Sequence, residues 1–185
     1  MRYFLGFLVA IGLIIMVFIL VIRGFSGGSK PKTPQVSLVD YANTGTVMQY
    51  TLDGPITSEI QHKGVRISVG ADQSTIEIYQ GYQNNVIQRK TYSNNSTSYA
   101  QFLRALQLVG YTRGSSDPNK KDERGFCPDG ERYVFEIVAD GSDTQRYWST
   151  SCGGQGNFGG SASRVRLLFR QQIPDYDELV SPLGI

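Results

Sequence analysis

Twenty consecutive residues, 3–22, read YFLGFLVAIGLIIMVFILVI and carry no charge. As a helix rising about 1.5 Å per residue, such a run spans roughly 30 Å, the thickness of a bilayer's hydrocarbon core. A cleaved signal peptide has a shorter apolar region, about 7 to 15 residues, followed by a small-residue site. Here only Ser26-Gly27-Gly28 offers such a site. The expectation is therefore a retained signal anchor: a short N-terminal tail (1–2), then a single transmembrane helix over residues 3–22. The lipid bilayer is the first expected partner.

Residues 24–33 (GFSGGSKPKT) have the composition of a flexible tether, with a random-coil reach of about 15 to 20 Å. Residues 34–185 are then one domain, long enough to bury a sizeable core. On orientation, Arg2 and the amino terminus flank one end of the apolar run, and Arg23, Lys30 and Lys32 the other. The positive-inside rule casts no clear vote and leans slightly against export. The short tail and the placement of the cysteines point the other way. We expect a cell-membrane protein whose C-terminal domain is extracytoplasmic.

The formal net charge is +2, from 18 basic and 16 acidic residues. Arg2 and Arg23 account for that excess, so the chain from residue 24 onward is neutral. A protein that grips nucleic acid needs a basic stripe to displace phosphate counterions, and no nucleic-acid partner is expected.

The cysteines are Cys127 and Cys152. A closed zinc site takes four ligands, and His62 is the only histidine, so no metal and no cofactor are expected. A redox pair would normally be spaced CxxC. A disulfide remains, and it requires an oxidising compartment. Between the cysteines, Arg132 to Ala139 and Thr144 to Thr150 read as strands around a turn centred on Gly141-Ser142. The cysteines then stand at the open end of a hairpin, and a bridge there is worth about 3 to 4 kcal/mol by chain entropy. Trp148 is expected to pack near it.

From Thr46 the apolar pattern has period two. Met48, Tyr50 and Leu52 alternate with polar residues, as do Val65, Ile67 and Val69, then Ile76 and Ile78. A further strand is expected over 86–92, with another short one at Ile56, Ser58 and Ile60. This reads as an antiparallel meander of four or five strands, one face buried and one wet. Ser98-Tyr-Ala-Gln101 matches a capping box. It opens a helix whose apolar face carries Tyr99, Phe102, Leu103, Leu106 and Val109, stopped by Gly110. A charged loop over 112–124 reads as a solvated connection. A second helix is expected over 161–172, followed by an irregular tail. The fold class is α+β: an N-terminal transmembrane helix, then one domain with an antiparallel meander, two helices and a disulfide-stapled hairpin.

Chemistry is harder to find. Gly154-x-Gly156-x-x-Gly159 formally matches a dinucleotide fingerprint, but that motif works within a parallel βαβ unit, and an antiparallel hairpin precedes this one. A flexible loop is the better reading. His62 reads as a surface residue beside a turn, without a nucleophile motif to serve. No catalytic residue is assigned. Tyr79, Tyr82 and Tyr92 fall on polar strand faces or in turns, where tyrosines make amphipathic contact surfaces; these are the candidate ligand contacts. The expected function is a membrane-anchored, non-catalytic binding or interaction module for an envelope polymer or a protein partner. The alternative is a membrane-tethered hydrolase with a carboxylate site, which would gather several of Asp72, Glu77, Asp140, Asp175 and Asp177 into one cleft.

Overall fold

The computed structural model of the chain describes residues 37–185 and, ahead of them, only Met16. The expected membrane span (3–22) and tether (24–33) lie outside the described residues. Among the described residues, no helix is long and apolar enough to cross a membrane.

The strands are β1 (Val47–Asp53), β2 (Lys63–Val69), β3 (Gln73–Gln80), β4 (Asn85–Ser93), β5 (Arg132–Ala139) and β6 (Ser142–Thr150). They form a six-stranded sheet in the order β4-β3-β2-β1-β5-β6, with every neighbouring pair antiparallel. The meander and the stapled hairpin, read separately in the sequence, are thus one sheet, joined where β5 lies against β1. The stretch holding Ile56, Ser58 and Ile60 is not a strand but a loop with a turn. Besides local bonds, Ile56 N donates to the Pro128 carbonyl, and Thr57 N and O both bond the Tyr82 hydroxyl.

Period two puts Met48, Tyr50 and Leu52 of β1 on the core face. Register places Ile67 and Phe135 on either side of Tyr50, and Val65 and Tyr133 on either side of Leu52. On this face lie α1 (Ser96–Leu108) and α2 (Ala162–Arg170). They bury Tyr99, Phe102, Leu103, Leu106, Val165 and Phe169 in a core shared with the sheet. Tyr50, Phe102, Tyr111 and Phe135 form an aromatic cluster around it: Phe169 meets Phe102 edge-on at 5.2 Å, and Tyr50 stacks on Phe135 at 5.8 Å. A 3-10 turn, Leu38–Asn43, packs on α1, with Leu38 N donating to Gln107.

α1 begins earlier than the capping box implied. Its N-cap is Asn95, whose side chain accepts from Ser98 N at 2.9 Å. The tail is not wholly irregular, since Tyr176–Val180 form a short helix, α3. The hairpin turn sits one residue earlier than expected. Asp140 and Gly141 have φ of 52° and 75°, the two left-handed residues that match a tight turn to strand twist. At the open end Cys127 and Cys152 are bonded, with their Cα atoms 5.8 Å apart. Trp148 is buried on the sheet's other face against Phe126, the neighbour of Cys127.

Candidate functional site

The second face of the sheet is not simply wet. Strand register assembles its side chains into cross-strand rows. One row runs Tyr79, Gly64, Asp53, Arg132; the next runs Arg89, Glu77, Arg66, Thr51, Val134, Trp148; the third includes Ser68, Gln49, Glu136, Arg146. Opposite charges therefore stand beside each other across strands, the arrangement that stabilises a sheet face.

In the first row, Gly64 is what lets Tyr79 lie flat. A Cβ on Gly64 would come within 2.1 Å of the Tyr79 ring. With the ring down, its hydroxyl reaches Asp53 at 3.3 Å. Asp53 also accepts from Arg132 Nε at 2.8 Å and Nη2 at 2.6 Å, and pairs with His62 Nε2 at 2.8 Å. His62 is not the surface residue its position beside a turn suggests. It is 1% exposed, its Nδ1 lies 3.1 Å from the Pro55 carbonyl, and Tyr82 stacks on its ring at 4.2 Å. Both ring nitrogens thus lie within hydrogen-bond distance of an oxygen. Burial, with the Asp53 carboxylate second, pushes the Tyr79 phenol well up.

In the third row, Arg146 donates to Glu136 at 2.9 Å and to both oxygens of Glu123 at 2.7 and 2.5 Å. Burial opposes the charge on Arg146, but the Glu123 and Glu136 carboxylates outweigh it and hold its pKa up. Glu123 belongs to the charged loop over 112–124. That loop is no free connection, because Trp148 Nε1 also donates to its Lys120 carbonyl at 2.7 Å.

Between these rows lies a hollow of about 420 Å³, lined by Asp53, His62, Arg66, Tyr79, Tyr82, Glu123, Arg124, Glu136 and Arg146 around Thr51 and Val134. Of the sequence-read contacts, it brings together Tyr79 and Tyr82. Tyr92 is elsewhere: its row on the core face pairs it with Ser74, and its hydroxyl donates to Asp175. The carboxylates named for a hydrolase are also dispersed. Glu77 is bonded to Arg89, Asp140 is in the hairpin turn, and Asp72 lines a separate hollow. Asp175 and Asp177 share a wider, more open hollow of about 600 Å³ beside α2 and α3, tied respectively to Lys90 and Arg170.

The second half of the glycine loop spends most of its amides within the fold. Asn157 N and Phe158 N donate to the Trp148 carbonyl, Gly159 N to Arg113, and Ser161 N to Val109. From Gly156 the loop is a cover for the β6 edge. Among the described residues, no group of three or more His, Cys, Asp or Glu side chains is placed to hold a metal.

The hollow's residues were visible in the sequence only as polar alternation. No known protein-family model matches the chain, and neither does any curated protein.

Proposed function

We propose that the chain is a non-catalytic binding module, held at a membrane by residues 3–22, with residues 34–185 on the extracytoplasmic side. Its ligand is an envelope polymer or a protein partner, and the charged hollow is the face that meets it. The observation carrying this reading is that the ionisable groups of the hollow are largely engaged with one another. A general base needs a nitrogen or carboxylate oxygen free to take a proton within reach of substrate. Both His62 nitrogens are engaged, Asp53 serves Arg132 and His62, and Glu123 and Glu136 clamp Arg146. Locked polar walls with an exposed tyrosine at the rim suit recognition. The uncharged run supports the membrane anchor, and the Cys127–Cys152 bond supports an oxidising compartment.

The test is capture. Full-length protein in detergent, immobilised and exposed to the envelope fraction of its own host, is expected to retain a component. Tyr82→Ala, at the rim of the hollow, should weaken retention. Leu108→Ala, at a residue 84% exposed on α1, should not. Hydrolysis of the envelope material by the purified chain would overturn the reading, as would capture indifferent to Tyr82.

A further inference from the structure

We infer that Arg66 is the anion-recognising residue of this hollow, and that the ligand offers it a carboxylate. The inference rests on the hollow being the binding face. Of the arginines lining it, Arg146 is clamped by Glu123 and Glu136, and Arg124 is forked onto Asp122. Arg66 differs. Its contact with Glu77 is long, 3.7 Å, while Arg89 donates to the same carboxylate at 2.7 Å. Arg66 Nε is buried and has no hydrogen-bond partner among the described residues. Its guanidinium stands 5.7 Å from the Tyr79 ring centre, and the side chain keeps 26% of its surface open.

A guanidinium so placed is a planar fork of donors with most of its capacity unspent, the partner that a carboxylate fits with two parallel bonds. A monoanion is favoured over a phosphate dianion because Asp53, Glu123 and Glu136 also line the hollow. Each added unit of negative charge on the ligand meets their repulsion. Tyr82, half-exposed at the rim, supplies a ring face for the ligand's uncharged body.

The experiment titrates isotope-labelled full-length protein in detergent with N-acetylalanine, N-acetylalaninamide and inorganic phosphate, following the Arg66 Nε–H resonance and the Tyr82 amide. N-acetylalanine should shift both, with the amide and phosphate weaker. Arg66→Gln should weaken N-acetylalanine binding about ten- to a hundredfold, the loss of charged hydrogen bonds. Two further variants work without touching the ligand's partner. Arg89→Gln releases Glu77 to compete for Arg66 and should weaken binding. Glu77→Gln frees Arg66 and should tighten it. Equal binding of the amide, tighter binding of phosphate, or indifference to Arg66 and Arg89 would overturn the inference. If envelope capture still depends on Tyr82 under any of those outcomes, the binding-module reading stands while the carboxylate falls.

Discussion

Asp53 is the counter-charge for Arg132, 3% exposed, and a hydrogen-bond partner of His62, 1% exposed. Removing one partner of such a group leaves a buried charge without compensation, a loss of about 3 to 5 kcal/mol. Asp53→Asn should therefore lower the unfolding free energy by about 3 kcal/mol or more, read from urea denaturation of the full chain. Asp122→Asn, which breaks the exposed pair with Arg124, should leave the midpoint in place, because exposed pairs contribute little. Equal midpoints for both variants would show that Asp53 does not hold the sheet face together.

At the scale of elements, the hairpin and the first helix show what local sequence reveals. The span between Cys127 and Cys152 was legible as a hairpin because alternation, turn residues and paired cysteines all agreed. Reduction should cost about 3 to 4 kcal/mol, and thiol labelling of the native chain should fail without reductant; ready labelling under oxidising conditions would sink the staple. The helix was legible by its apolar spacing, but its start was not. Asn95 competes with Ser98 for the cap, and the winner depends on where the chain leaves β4, through Asn94 N bonded to Asp72 O. Asn95→Ala should destabilise by about 1 kcal/mol, whereas Ser98→Ala, at the cap the sequence suggests, should change the melting temperature little. The reverse ranking would put the helix start back at the capping box.

For the whole folded unit, the two faces of the sheet were unequally legible. Period two separates Tyr50 from Thr51 whatever the neighbours, so the core could be read from β1 alone. The hollow could not, because Arg66 meets Glu77, and Glu136 meets Arg146, only once register across the strands is set. The pairing of β5 with β1, distant in sequence, then brings those two hairpins side by side around the hollow. The core's tyrosines then set how the whole unit responds to base. Burial pushes the phenols of Tyr50, Tyr79, Tyr99 and Tyr111 well above the usual range. Tyr133 is pushed up to about 12 by burial and by its bond to Glu131. A folded-state pKa raised above the unfolded value near 10 means that the native state holds the proton longer. That stability is fully present below pH 10 and is lost as pH rises toward the folded value. Melting temperature should hold level up to about pH 10 and fall steeply above it. Tyrosinate absorbance should rise in two stages, exposed phenols first and buried ones together with the loss of the far-ultraviolet circular dichroism signal. A single gradual absorbance rise with the fold intact would mean that these phenols are open to water and that the core is not packed around them.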